Sequence, residues 1–168
     1  EAIEAEQLEE GIKILNEILE LRRLTDYERA QVNYFFAYVA YLKEDYRGAI
    51  NYYSKVLQEE EVPEGLLSSA RYTIAQLWFQ LEEWEKAIRA VDDLLANSES
   101  PRPDLYILKG SALYQLKKYT EMIPVIRAAI NLSEERNPFR IQSLQNNIQS
   151  VADENRVTYD KSETTEIN

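Results

Sequence analysis

Histidine and cysteine are both absent from the 168 residues of this chain. Without cysteine there is no disulfide, no thiolate nucleophile and no cysteine-ligated zinc site. Without histidine there is no Ser-His-Asp triad, no imidazole base and no histidine-bearing metal site. The four glycines are scattered and form neither a dinucleotide-binding nor a phosphate-binding loop. Little catalytic chemistry remains, so we expect no enzyme activity, no cofactor and no metal.

Positive charge and long apolar runs are also scarce. The 30 acidic and 19 basic side chains give a formal net charge of −11, which would repel a phosphate backbone. No run of about 18 apolar residues occurs, so we expect no membrane insertion. Neither nucleic acid nor the membrane interior is an expected partner.

Tyrosine, by contrast, is abundant. The chain has 12 Tyr, 4 Phe and 2 Trp. Tyrosine joins a large apolar ring to a hydrogen-bonding hydroxyl, which suits half-exposed surfaces that contact a partner. An aromatic surface is therefore expected.

A helical pattern recurs four times. The segments LEEGIKILNEIL, DYRGAINYYSKVL, EWEKAIRAVDDLL and KYTEMIPVIRAAI align at intervals of 38, 38 and 35 residues on one position, held by Gly11, Ala49, Ala87 and Met122. Each of the last three follows another helical segment with a small residue twelve positions before the aligned one: Ala37, Ala75 and Gly110. A small residue there would let two antiparallel helices approach closely.

Helix pairs with a period near that spacing are typical of tetratricopeptide repeats. We therefore predict an all-α fold, an α-solenoid of antiparallel helix pairs wound into a right-handed superhelix with a concave face. The predicted single array covers 1–153, with a half repeat (1–23), repeats at 27–60, 66–98 and 103–135, a capping helix (138–153) and a polar tail (154–168). Thr120 is predicted to cap the last paired helix, placing Pro124 in its first turn. An ordinary helical bundle is the alternative, which the regular spacing disfavours.

In tetratricopeptide proteins the first helix of each pair lines the concave face, and the corresponding positions here are aromatic and nearly uncharged. The predicted peptide-binding groove consists of Gln31, Tyr34, Tyr38, Tyr41, Tyr72, Gln76, Phe79, Ile107, Ser111 and Tyr114. Family members that bind the acidic C-terminus of chaperones carry Lys, Arg or Asn there, so that ligand is disfavoured. Tyrosine rings can stack on proline and aliphatic groups, and the chain's acidity favours a ligand containing Lys or Arg.

Other interpretations stay open at this point. The tyrosines could pack against neighbouring helices, with the chain a structural module that forms a homo-oligomer through its incomplete terminal repeats. The acidic run QEEEVPEG, from Gln58 to Gly65, is interpreted as a solvated loop, because it lacks the ligand spacing of a calcium-binding EF-hand loop. An enzyme with paired carboxylates would need two acids facing each other across a cleft.

Residues 24–136 also carry a more specific resemblance. The segments YERAQ, VPEG and YTIAQL lie outside the repeat consensus. They are similar to segments of bacterial tetratricopeptide proteins associated with TonB-ExbB-ExbD energy-transduction systems. The resemblance implies a non-catalytic periplasmic accessory of uptake across the outer membrane, with a Pro-rich, Lys-containing TonB-like segment as partner. It ends where this chain continues with NPFRIQSLQ instead of further repeats.

Overall fold

A computed structural model describes residues 2–20, 23–98 and 102–133, together with Asn146, residues 149–151 and Asp153. Those ranges hold seven long helices and no strand: α1 (Ala2–Leu19), α2 (Asp26–Leu42), α3 (Tyr46–Val56), α4 (Glu64–Gln80), α5 (Trp84–Ala96), α6 (Pro103–Gln115) and α7 (Tyr119–Leu132). None of these helices is both long and apolar enough to cross a membrane. The predicted capping helix at 138–153, apart from its few described residues, and the tail at 154–168 lie outside the described part.

The helices fall into two compact units, Glu1–Leu81 and Glu82–Asn168. In the first unit, α1 packs against α2, α2 against α3, and α3 against α4. In the second, α6 packs against both α5 and α7. Short turns join α2 to α3 and α6 to α7, which makes each pair an antiparallel helical hairpin. The predicted helix pairing is therefore confirmed for these two hairpins.

The turns after α2, α4 and α6 share one unusual backbone feature. Each contains a non-glycine residue in the left-handed region, with φ of 58°, 58° and 57° at Glu44, Glu82 and Lys117. After α2, the N–H of Glu44 donates to the carbonyl of Tyr41, and that of Asp45 donates to Ala40. The turn after α6 repeats both bonds. This pairing is the Schellman motif, which normally favours glycine at the left-handed position.

Replacing Glu44 with glycine should stabilise the protein. A residue with a Cβ is strained in the left-handed conformation, so we expect Glu44→Gly to raise the free energy of unfolding by about 0.5–1 kcal/mol. Urea denaturation followed by circular dichroism measures the change. Glu44→Ala is the matched control, because it removes the same charge but keeps the Cβ. An equal gain in both variants would show that charge, and not backbone strain, is responsible.

Small residues allow the paired helices to approach closely. Ala37 of α2 and Ala49 of α3 are fully buried in the core of the first unit. In the second unit, a Cβ built on Gly110 of α6 would lie only 2.1 Å from Cδ1 of Ile126 on α7. The role predicted for small residues between paired helices is thus confirmed at Gly110, and the full burial of Ala37 is compatible with the same role in the first hairpin.

Pro124 lies deeper in α7 than the sequence predicted. The helix begins at Tyr119 with Lys118 as its N-cap, so the prediction that Thr120 is the cap is wrong. Pro124 therefore sits in the second turn, where the N–H that it lacks would donate to the carbonyl of Thr120. The helix continues because burial of one apolar face offsets that loss, through Met122, Ile123, Ile126, Ala129 and Ile130.

Candidate functional site

An aromatic cavity of about 390 Å³ lies in the first unit, lined by side chains of α2, α3 and α4. No charged residue is among its lining side chains, which are Tyr38, Tyr41, Tyr46, Tyr53, Thr73, Gln76, Leu77 and Gln80. Polar and apolar surface share the walls about equally, through tyrosine rings, hydroxyls and side-chain amides, which suits a neutral ligand that has both apolar and hydrogen-bonding groups. This aromatic cavity is the candidate functional site.

Helical spacing places the wall residues on common faces. Tyr38 and Tyr41 are three residues apart on α2 and are 51% and 47% exposed. On α4 the lining residues recur at intervals of three and four residues, from Thr73 to Gln80. Across the turn between α2 and α3, the ring centroid of Tyr41 lies 5.9 Å from that of Tyr46, at an interplanar angle of 47°. This contact holds one face of Tyr41 and leaves the rest of its ring accessible.

Tyr53 lines the same cavity from within the core. Its side chain is only 4% exposed, and its ring meets that of Tyr34 edge to face at 5.0 Å. Burial, reinforced by Tyr34, raises the pKa of Tyr53 to about 12. Its hydroxyl also interacts with Thr73 on α4. The cavity therefore has a neutral phenol on α3, close to side chains of α2 and α4, that can hydrogen-bond.

The raised pKa of Tyr53 predicts an alkaline loss of stability. The unfolded chain would release this proton near pH 10, the ordinary value, whereas the folded chain keeps it until about pH 12. Stability from this residue is therefore complete below pH 10 and falls as the pH rises to 12, by about 2–3 kcal/mol. Urea denaturation from pH 8 to 12 tests this against Tyr53→Phe, in which that part of the loss should vanish. Parallel curves for both proteins would contradict the prediction.

The structure places the predicted groove residues of the first unit at different depths. Tyr38, Tyr41 and Gln76 line the cavity. Tyr34 lies half-buried against Tyr53, so its ring packs within the unit as the alternative interpretation expected. Tyr72 and Phe79 are half-buried, and the side-chain amide of Gln31 donates to the Tyr27 hydroxyl at 3.0 Å.

The predicted groove residues of the second unit do not line this cavity. Ile107 and Ser111 are half-buried on α6. Tyr114 is 47% exposed, and its ring centroid lies 5.8 Å from that of Tyr119. That contact matches the one between Tyr41 and Tyr46, one at each hairpin turn. A binding role for these three residues stays a prediction.

Sequence reasoning did not assign five lining residues to the site: Tyr46, Tyr53, Thr73, Leu77 and Gln80. A signal for Tyr53 was present, because the corresponding positions of the later repeats hold Val91 and Ile126. A phenol at an inward position where the other repeats carry aliphatic side chains needs a hydrogen-bonding partner nearby. That requirement points to a polar spot inside the first unit.

The acidic loop is largely exposed, as predicted, and two of its residues, Glu59 and Glu61, also hydrogen-bond to α2. Glu59 accepts a hydrogen bond from Nε of Arg29 at 3.0 Å, and Arg29 also pairs with Asp26. The backbone N–H of Glu61 donates to Asp26 at 3.3 Å. Within the described ranges, no three acidic side chains gather in a way that could hold a metal ion. The loop is therefore a structural link between α2 and the segment before α4.

Comparison with known proteins identifies the class of fold. The family model of the tetratricopeptide repeat matches residues 103–136. The TPR domain of Arabidopsis OM64 is similar in structure, with a TM-score of 0.58 and 16% identity, over 74% of this chain and 98% of that one. YrrB, described as a TPR protein with an unusual peptide-binding site, is also similar in structure, with a TM-score of 0.51 and 18% identity. The match covers 76% of this chain and 69% of that one. No curated protein sequence matches this chain significantly. The predicted fold class is confirmed: the chain has the all-α fold of tetratricopeptide repeats.

Proposed function

We propose that the protein is a non-catalytic interaction scaffold that binds an extended peptide segment of a partner in the aromatic cavity. The observation that carries this proposal is the uncharged lining of the cavity, with four tyrosines on one side and two glutamines on the other. The peptide-binding site named for YrrB supports a peptide as the class of ligand.

Binding would use the exposed faces of Tyr38 and Tyr41 as stacking surfaces. Tyrosine has few rotatable bonds, so ordering these rings costs little conformational entropy. Gln76 and Gln80 offer both donors and acceptors to a peptide backbone. Because no charged group lines the cavity, proline or aliphatic side chains fit it better than acidic or basic ones. The net charge of −11 would instead attract Lys or Arg outside the cavity.

For the partner, we propose a Pro-rich, Lys-containing segment of a TonB-like protein, which would place this chain in the periplasm. The sequence resemblance of residues 24–136 supports this choice, and the neutral cavity within an acidic chain is compatible with it. Self-association through terminal repeats is the second candidate function, because α1, which packs against α2, is not joined in a hairpin to a preceding helix among the described residues.

Titration with a Pro/Lys-rich TonB-type peptide tests the proposal, with amide and tyrosine ring shifts followed by NMR. We expect saturable shifts around the cavity, and Tyr38→Ala and Tyr41→Ala should each weaken binding about tenfold because a stacking surface is lost. Tyr27→Ala is the matched control: Tyr27 is 41% exposed on the same helix but does not line the cavity. Unchanged affinity in both cavity variants would exclude the cavity as the binding site.

A further inference from the structure

Helix α2 has an exposed apolar face. The corresponding face of α4, the first helix of the next repeat, is partly covered by the helices before it. This face of α4, with Thr73 and Leu77, adjoins α2 and α3 around the cavity. One repeat interval of 38 residues earlier, the same face of α2 carries Phe35, Val39 and Leu42. Phe35 is 55% exposed and Leu42 is 50% exposed. On α4, Leu77 is buried and Thr73 is half-buried, whereas Gln80, the counterpart of Leu42, is exposed at the cavity. The apolar face of α2 thus corresponds to the face by which α4 packs against the preceding helices through Thr73 and Leu77.

Helix α1 also has an exposed apolar residue at the position that, on α3, contacts the first helix of the pair. On α3, Tyr52 stacks on Phe36 of the paired helix, with centroids 5.2 Å apart and rings inclined by 18°. The corresponding residue of α1 is Ile14, which is 48% exposed. Helix α1 runs unbroken through Gln7, the position that corresponds to the Asp45 cap of α3. Among the described residues, therefore, no first helix pairs with α1.

We infer that this place, the α1/α2 slot defined by Ile14, Phe35, Val39 and Leu42, binds a basic amphipathic helix of a partner protein. The occupant is a helix because a helix fills the corresponding place in the next repeat, where α2 pairs with α3 and adjoins α4. The spacing of the three α2 residues, four and then three apart, matches a helix that presents its own apolar stripe.

Charge around the slot selects the partner. Exposed Glu10 and Glu17 flank Ile14 one turn away on either side, whereas Glu9 is already paired with Lys43 at 2.7 Å. Lys13 is the one exposed cation of α1 within residues 7–20. Long-range charge favours a helix rich in Lys or Arg over a second copy of a chain with net charge −11.

The slot is separate from the aromatic cavity, since none of its four residues lines that cavity. A synthetic helical peptide of about 18 residues, with leucine on one face, lysine on the other and a nitroxide at one end, is a suitable probe. We expect saturable binding, with NMR broadening centred on α1 and α2. Phe35→Ser/Leu42→Ser should weaken binding about tenfold or more. Leu132→Ser, at an apolar side chain of α7 that is 39% exposed, is the matched control and should bind normally.

Three results would overturn the inference. The first is undiminished binding by the double variant, and the second is equal binding of a peptide with glutamate in place of lysine. The third is a concentration-dependent dimer, seen by sedimentation without peptide and lost in the double variant, which would assign the slot to a second copy. Circular dichroism checks folding, and Phe35→Ser alone serves if the double variant unfolds. Tyr38→Ala should leave this binding intact, so the test stands apart from that of the cavity.

Discussion

Replacing Tyr53 with alanine is expected to lower the free energy of unfolding by about 3–5 kcal/mol, the range for removing a fully buried aromatic ring. The ring is 4% exposed and belongs to the core of the first unit, with Ala37, Ala49 and Val56. Its loss would leave a void below the aromatic cavity and remove the edge-to-face contact with Tyr34. Urea denaturation at neutral pH, followed by circular dichroism, measures the change.

Two further variants separate burial from the hydroxyl of Tyr53. Tyr53→Phe keeps the ring and loses only the interactions with Tyr34 and Thr73, so we expect a cost of about 1 kcal/mol. Tyr38→Ala removes a ring that is 51% exposed and should cost well under half as much as Tyr53→Ala. If Tyr38→Ala proved as destabilising as Tyr53→Ala, the cavity wall would be part of the core and not a free surface.

The pairing of helices could be predicted because it rests on a repeated steric requirement. Wherever two helices cross closely, the crossing point needs a small side chain, and Ala37 and Gly110 meet that need. The turns follow the same period, since Glu44 and Lys117 occupy the same strained backbone position. The small-residue signal depends on few atoms and recurs at the repeat interval, so one sequence reveals it, whereas the left-handed turn residues became evident only in the structure.

The ends of the helices and the lining of the cavity were harder to predict, because small differences in free energy determine where a helix begins and which way a side chain points. A capping hydroxyl at Thr120 contributes only about 1 kcal/mol, less than the burial that lets α7 begin at Tyr119. The groove prediction likewise treated each first helix alone. The cavity instead takes Tyr46 and Tyr53 from a second helix, and Tyr34 turns inward to pack on Tyr53. Which side of a tyrosine stays open depends on its neighbours in three dimensions.

Replacing Gly110 with leucine should destabilise the second unit by about 3 kcal/mol or more, because the helices α6 and α7 have no room for a side chain there. Even a Cβ would lie 2.1 Å from Cδ1 and 2.7 Å from Cγ1 of Ile126. Ile126 is buried among Leu113, Met122, Ile123 and Ile130, so it cannot move aside without disturbing that core. Thermal and urea denaturation report the loss.

Gly110→Ala combined with Ile126→Val is the informative companion, because the corresponding positions of the preceding repeat hold Ala75 and Val91. Alanine favours the helix over glycine by about 1 kcal/mol, and valine lacks the Cδ1 atom nearest to the new Cβ, which leaves only the 2.7 Å contact with Cγ1 to be relieved. We therefore expect the double variant to have a higher free energy of unfolding than the two single variants predict when their separate effects are added. A double-mutant cycle measures this coupling. Additive effects would show that Ile126 can already move away, and that glycine at this position serves helix flexibility instead of close packing.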